Sequence, residues 1–360
     1  MDVSDGNAII VGAGFSRSAG LPLTSDVSRY FLRFPETFPT PAAVQEAISR
    51  QLRRFWESVF GYEDGGPFPS FEDHFTALDL AANAGHNLGH YSPAKLRALR
   101  RLSIHRVFDI LDSNYSPSRA IGVFLRELAG REKTSIISTN WDVVAEKHFS
   151  DAAIPFTYSI PGHWDPGYVP SPNAIPLIKL HGSANWHYCD VCRTASFGFT
   201  GKTALLYRTF LESRDFVALG EHEVAPKVEE IGLGGVPCHG CHNRRMSARV
   251  ATFSYTKAFD FFLFHALWDR ALYQLRESPF WTFIGYSLPE ADFAFRNLLL
   301  TAGAASLGHT HRQVRVVALD SDGSVRDRYK RFFGHRLVEF HDTGFDAWVD
   351  APVPLLGPAA

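Results

Sequence analysis

Six short apolar runs, rich in β-branched residues, punctuate the chain at 7–11, 134–138, 175–180, 280–284, 314–319 and 336–340. Each is hydrophobic on both faces, and helical patterns separate them. A strand with one wet face would alternate, so this combination predicts strands buried inside a sheet that helices cover above and below. One covering helix is plain: Phe264, Leu267, Trp268, Ala271, Leu272 and Leu275 follow the i, i+3, i+4, i+7 stripe, and Ser278-Pro279 stops it. The fold class this predicts is α/β, a doubly wound parallel Rossmann-like sheet. Composition agrees, since 45% hydrophobic and 21% charged residues over a 360-residue chain can bury a proper core.

Two stretches break the alternation. Residues 31–130 carry helical patterns, 42–60 and 94–112 among them, and read as a helical insertion. Trp56, Phe60, Phe68, Phe71 and Phe75 read there as core residues, the alternative being a face for self-association or for covering a cleft. Residues 187–249 hold the cysteines, a glycine-rich run from Ile231 to Val236 and little periodicity, as expected of a small module pinned by something other than a core. The sheet domain is then assembled from 1–30, 131–186 and 250–345. Residues 346–360, with Pro352, Pro354 and Pro358, read as a loosely attached tail.

The four cysteines form two C-x-x-C pairs, Cys189/Cys192 and Cys238/Cys241, separated by 45 residues. That is the knuckle arrangement of a tetrahedral Zn²⁺ site, with a longer spacer than the ~15–20 residues usual in zinc ribbons. Four thiolates leave no position for water, so the ion expected is structural. His187, His239 and His242 flank the pairs as lesser ligand candidates. Net charge is −2, with 36 basic against 38 acidic residues, which gives no footprint for nucleic acid or an anionic membrane. No apolar run approaches the roughly 18 residues of a membrane span, and the first residues do not read as a signal peptide. The expectation is a soluble, cytoplasmic protein.

The run at 7–11 leads straight into Gly12-Ala13-Gly14-Phe15-Ser16, with Gly20-Leu21-Pro22 beyond. A glycine turn between strand and helix lets backbone N–H groups approach phosphate. Arg17 stands where a third glycine would complete G-x-G-x-x-G, and no acidic residue closes a second strand about 20 residues on, so an ordinary dehydrogenase is disfavoured. Four other runs end in polar residues: Ser138-Thr139-Asn140-Trp141-Asp142, His181-Gly182-Ser183, Gly285-Tyr286-Ser287 through Asp292, and Asp320-Ser321-Asp322. Each has a local reading. Asn140 or Asp142 can cap a helix starting near Val143, His181 can be a core histidine, Ser287 can be a cap, and Asp320 can start a turn. Together they point to one site beyond the carboxyl ends of the strands. An asparagine and a histidine beside a phosphate turn suit cleavage of a nucleotide's glycosidic bond. A cationic nicotinamide leaves as a neutral molecule, asparagine holds a water or ribose hydroxyl, and histidine takes a proton near neutral pH. No G-x-S-x-G motif competes.

The ordered set G-A-G-x-S-x-x-x-G-L-P at 12–22, T-N-x-D at 139–142, K-L-H-G-S at 179–183 and G-Y-S-L-P at 285–289 resembles the sirtuin family. More closely it resembles the bacterial branch of NAD-hydrolysing domains used in antiviral defence, over residues 7–345. The resemblance implies a sirtuin-type sheet with NAD⁺ as substrate, bound between the large domain and the small module. Gly12, Ala13, Gly14 and Ser16 would hold the diphosphate, with Gly285 and Ser287 on the other side. Asn140 and Asp142 would face the nicotinamide ribose, His181 would act as base, and Asp320 would meet the adenosine ribose. The zinc module fits the family as well.

The activity expected is hydrolysis of NAD⁺ to nicotinamide and ADP-ribose, by a regulated effector of antiphage defence. The alternatives are an NAD-dependent protein-lysine deacylase and a non-catalytic NAD or ADP-ribose scaffold. Deacylase motifs are altered here. Leu23-Thr24-Ser25 replaces D-F-R after the G-L-P, Ser138-Thr139-Asn140-Trp141-Asp142 replaces T-Q-N-I-D, and no F-G-E follows the second cysteine pair. The resemblance implies gating by homo-oligomerisation or by a separate partner, a HerA-type ATPase or an Argonaute-like protein. Arg17 leaves NAD⁺ against NADP⁺ open.

Overall fold

The computed structural model describes residues 6–32, 40–158, 160, 171, 173–189, 191–193, 195–197, 211–230, 237–238, 240–242, 246–250, 262–304 and 312–351. Its strands are β1 (Asn7–Val11), β2 (Thr134–Ser138), β3 (Phe156–Thr157), β4 (Ile175–Lys179), β5 (Gly182–Cys189), β6 (Ala195–Phe197), β7 (Met246–Val250), β8 (Phe280–Ile284), β9 (Gln313–Val317) and β10 (Leu337–His341). Seven form one parallel sheet in the order β10-β9-β8-β1-β2-β4-β3, and the other three form a small antiparallel sheet, β6-β5-β7. The six apolar runs are thus six strands of the large sheet. β1 and β2 are buried at every residue, as both-face hydrophobicity requires. β10 departs from that rule. It is the sheet edge and only partly covered, with Glu339 paired to Arg315 of β9.

The first helices are α1 (Ala13–Arg17) and α2 (Thr24–Phe31). The insertion then builds α3 (Ala42–Phe60), α4 (Phe71–Ala84), α5 (Pro93–Asn114) and α6 (Arg119–Ala129). Ser70, Ser92 and Ser118 cap α4, α5 and α6 by accepting the N–H of Asp73, Lys95 and Ile121, and Gly61 ends α3 at φ +66°. Trp56, Phe71 and Phe75 are buried here, as expected of core residues. Phe68 is 37% exposed and stacks on Tyr62 at 5.5 Å.

Beyond β2 come α7 (Val144–Asp151), α8 (Ser213–Ala218), α9 (Ala225–Glu230), α10 (Phe262–Glu277), α11 (Phe293–Ala304), α12 (Ser324–Phe333) and α13 (Phe345–Asp350). Two of these fall differently from the sequence expectation. Residues 211–230, read as part of the small module, form α8 and α9 and are clamped to the insertion. Arg101 of α5 grips buried Asp215, and Arg50 of α3 donates to Glu221 through Nε at 2.9 Å and Nη2 at 2.6 Å. Leu211, Phe216, Val224 and Val228 are buried in the same core, and the two charged clamps lie beside them. Residues 346–350, read as loose tail, form most of α13, where buried Trp348 meets Phe124 at 6.0 Å and Phe345 meets Phe15 at 5.1 Å. The prolines 352, 354 and 358, the glycine-rich run Ile231 to Val236 and His239 lie outside the described residues.

Among the described residues no helix is long and apolar enough to cross a membrane.

Candidate active site and metal centre

Sheet topology selects one end of one pair of strands. From β1 the chain builds outward through β2 to β4 and β3, while β8 on the other flank of β1 begins the run to β9 and β10. The direction reverses between β1 and β8, and in open α/β sheets ligands bind at the carboxyl ends beside such a switch point. Register aligns those ends. Val11 pairs with Ser138 and with Ile284, and Ser138 pairs with Lys179. The ladder runs one residue further through Gly12 N–H to Ile284 O at 3.0 Å, Thr139 N–H to Val11 O at 3.1 Å and Leu180 N–H to Ser138 O at 3.0 Å. Gly12, Thr139, Leu180 and Gly285 therefore stand in one row, and the polar motifs that follow them share one crevice.

The glycines of that row answer a packing demand. Gly14 N–H donates to Gly285 O at 2.8 Å. A Cβ on Gly285 would lie 2.1 Å from the Phe15 nitrogen, and one on Gly12 or Gly14 would lie 2.7 Å from the backbone of the β8 loop. Gly285 also sits at φ +62°. The first and last motifs thus form one structure, two loops in backbone contact. The N–H groups of Gly12 and Gly14 are engaged by that contact, so these two glycines act by permitting close approach. Three residues past Gly285, buried Leu288 holds φ +53°, a conformation a bulky side chain adopts only under constraint from its surroundings.

Asn140 is partly buried, and its Nδ2 donates to Gly12 O at 2.9 Å and to Ser16 Oγ at 3.0 Å. A carbonyl oxygen only accepts, which fixes the amide orientation. With both of its N–H groups committed, the side chain offers a ligand only the Oδ1 acceptor. His181 is 7% exposed. Its Nδ1 lies 3.0 Å from Thr139 O, so that nitrogen carries the hydrogen and Nε2 is the basic one. Nε2 faces Asp292 Oδ1 at 3.8 Å, and the Trp268 ring lies 6.4 Å away with its Nε1 donating to Leu180 O.

The remaining sequence candidates divide. Asp142 is buried, and its Oδ1 accepts Val144 N–H at 3.0 Å at the start of α7. Asp320 accepts from Val325 N–H at 3.1 Å and Arg326 N–H at 2.9 Å, so both of its oxygens cap α12. Ser287 is exposed and its carbonyl accepts from Arg328 Nε at 3.0 Å. Arg17 is exposed.

Four residues with no role assigned from sequence also sit here. Tyr286 donates its hydroxyl to Asp292 Oδ2 at 2.9 Å, and burial, with Asp292 beside it, keeps the phenol well above its ordinary pKa. Buried Lys179 bonds to Asp142 O and lies 3.2 Å from Glu146 Oε1, tying the Thr139–Asp142 loop to the end of β4. Both Lys179 and Asp292 stand inside or next to quoted motifs. Glu146 gave no signal, because an acidic residue in a helix's first turn is ordinary.

β5 leaves the crevice directly from His181 and ends at Cys189 in the second site. Cys189, Cys192, Cys238 and Cys241 present sulfurs that all lie within 4.8 Å of one another. Cys189–Cys241 is 3.6 Å and Cys192–Cys238 is 3.5 Å. Zn–S bonds of ~2.3 Å in a tetrahedron put sulfurs about 3.8 Å apart, whereas a disulfide would need ~2.05 Å. The two knuckles repeat one geometry. Arg193 N–H donates to Cys189 O and His242 N–H to Cys238 O, both at 2.8 Å, and Arg193 and His242 have φ of +59° and +57°. The donor set fits Zn²⁺ closed to water.

No family model matches the chain, and no curated protein matches it. Solved sirtuin structures do match in outline. A structure described as the structural basis of sirtuin substrate affinity is 15% identical, covering 96% of this chain and 93% of its own at TM-score 0.42. A Sir2 complex with p53 peptide and NAD⁺ is 13% identical, covering 96% and 90% at 0.41. A mutant Sir2 homologue with ADP-ribose is 15% identical, covering 97% and 90% at 0.43. At such scores these likenesses carry no inference about this chain's chemistry.

Proposed function

We propose that the crevice at the β1–β8 switch point binds NAD⁺ and hydrolyses it to nicotinamide and ADP-ribose. The observation that carries this reading is the pairing of two differently prepared groups in one row of strand ends. Asn140 retains only an acceptor, and His181, anchored on the residue before it, retains a basic Nε2. In the reaction the C1′–N bond breaks and its electron pair passes to the pyridinium, which departs neutral. The oxygen of water bonds to C1′, and the released proton goes to His181 Nε2 and then to solvent. Asn140 Oδ1 accepts from the water or a ribose hydroxyl and so orients the reacting face. No acid is needed for the leaving group.

Gly12 and Gly14, lacking side chains, would shape the bed for the diphosphate, with Ala13 and Ser16 beside them. Gly285 keeps the β8 loop against that bed. Asp142, as cap of α7, positions the Thr139–Asp142 loop. Ser287 and Asp320 lie on the β8–β9 side, where the adenosine half would extend. Cys189, Cys192, Cys238 and Cys241 would hold a structural Zn²⁺ that fixes the far end of β5. The motif resemblance supports a regulated antiphage effector restrained by self-association or by a separate protein.

Nicotinamide release from NAD⁺ by the purified chain without any peptide tests the reading. Release that vanishes in His181→Ala is the expected result. Release that demands an acyl-lysine peptide would assign the site to deacylation instead. Binding of ADP-ribose with no release under either condition would assign it to a scaffold.

A further inference from the structure

A base in a closed site must accommodate the charge it acquires. Once Nε2 of His181 takes a proton, the imidazolium stands in a place that is 7% exposed, with little water to solvate it. The ring's other nitrogen is already committed to Thr139 O. What Nε2 faces is a carboxylate, Asp292 Oδ1, at 3.8 Å. That separation is too long for a hydrogen bond in the resting state and short enough for a strong charge interaction after protonation.

Asp292 is itself 6% exposed and is held in that attitude from its far side. The Tyr286 hydroxyl donates to Oδ2 at 2.9 Å, and Tyr286 is locked in turn by Tyr329, whose hydroxyl donates to its carbonyl at 2.8 Å. The backbone of Asp292 is fixed too, its N–H donating to Pro289 O at 3.2 Å and its carbonyl accepting from Arg296 N–H at 3.0 Å. We propose that Asp292, aimed by Tyr286, is the positioning residue that receives the protonated ring of His181, a role that rests on reading His181 as the general base.

The arrangement does not require Asp292 to take the proton. The O–H bond of water breaks, the N–H bond forms on Nε2, and the carboxylate stays ionised throughout. The tyrosine donates to Oδ2 while Oδ1 is the oxygen that faces Nε2, which sets direction as well as charge. Other ionisable groups around His181 have partners of their own among the described residues. Lys179 behind it is held by Asp142 O and Glu146, and Arg296 on α11 donates to Leu288 O at 3.2 Å. From α10 the neighbour is the uncharged Trp268 ring. Among the described residues, Asp292 presents a carboxylate oxygen to Nε2.

The test follows the His181 ring directly, by NMR titration of its C–H signals in the labelled full chain, beside steady-state nicotinamide release. In Asp292→Asn the His181 midpoint should fall by at least about one pH unit, because an opposite charge within ~4–6 Å favours the protonated ring by that much. The kcat should fall by about 10- to 100-fold, KM should stay within about twofold, and the acid limb of the kcat profile should move with the midpoint. Tyr286→Phe, which frees the carboxylate to turn away, should move the midpoint in the same direction by less, and it serves if Asp292→Asn does not fold. An unchanged His181 midpoint in the folded variants would overturn the proposal whatever the activity. Absence of nicotinamide release in the wild type would instead remove the hydrolase reading, with the titration still deciding whether Asp292 and His181 are coupled.

Discussion

At the crevice, Gly12, Gly14 and Gly285 let two loops press backbone against backbone, whereas at the cysteines four sulfurs face one another around a space the size of a metal ion. The first arrangement is complete in the polypeptide itself. Its hydrogen bonds run from Gly14 N–H to Gly285 O and from Gly12 N–H to Ile284 O, and they exist before any ligand arrives. The second is conditional, because like thiolates held within 4.8 Å repel unless a cation lies between them. β5 joins the two, starting beside His181 and ending at Cys189. One chain thus carries a crevice made rigid by close packing and a cysteine module that a bound cation would make rigid.

Metal removal should break this comparison most sharply. The protein as isolated should contain one Zn²⁺ per chain by elemental analysis. Structural zinc contributes on the order of 10 kcal/mol to small metal-dependent folds. Stripping it with a chelator should therefore abolish amide-exchange protection along β5 near Cys189 and leave β1, β2 and β8 protected. Equal loss of protection in the large sheet would show that the two regions are one folding unit.

The reciprocal break is Gly285→Ala. A Cβ 2.1 Å from the Phe15 nitrogen, on a residue at φ +62°, cannot be absorbed by a side-chain shift. Urea denaturation should show a loss of more than about 4 kcal/mol, or no soluble protein, with zinc content unchanged in whatever folds. Wild-type stability would contradict the packing account of the glycines.

The helical insertion sharpens the comparison with a third means of support, an aromatic core around a buried histidine. His74 accepts from Trp56 Nε1 at 2.8 Å, and its Nε2 lies 2.8 Å from Ser103 Oγ. Burial pushes its pKa down from 6.5 to about 3, so the folded state holds it neutral. The stability that depends on this is complete above pH 6.5 and is lost as pH falls toward 3, because the unfolded chain takes up the proton first. The slope should reach about 1.4 kcal/mol per pH unit. Denaturation at pH 7, 6 and 5 checks it, and His74→Leu should flatten that decline. An acid response unchanged in the variant would place the sensitivity elsewhere.

The sheet was legible because buried parallel strands write themselves as continuous apolar runs, and the runs at 134–138 and 280–284 are β2 and β8 to the residue. The strands of the small sheet were not, and β5 is buried yet interleaves Ser183, Asn185 and His187 with its apolar residues. β5 through Cys189 and the short β6 and β7 lack such a run, since the cysteine module organises them. At the crevice the polar strand ends stood out against apolar surroundings, which brought forward Asn140 and His181. Asp292 follows Gly285 by seven residues in a stretch without periodicity, so nothing local links it to a histidine more than a hundred positions earlier. Asp142 and Asp320 illustrate the converse, because a carboxylate just past a strand serves a helix cap as readily as a ligand.

The most direct measurement on the central claim compares wild type with Asn140→Ala, reading NAD⁺ binding and nicotinamide release in the same samples. Release should fall by at least about 100-fold while binding stays within about tenfold, because the variant removes the acceptor proposed to orient the reacting face and leaves the β1–β8 crevice standing. Release that persists in Asn140→Ala at the wild-type rate would contradict the proposal, since the chemistry would then lie elsewhere than at the strand ends that carry Asn140 and His181.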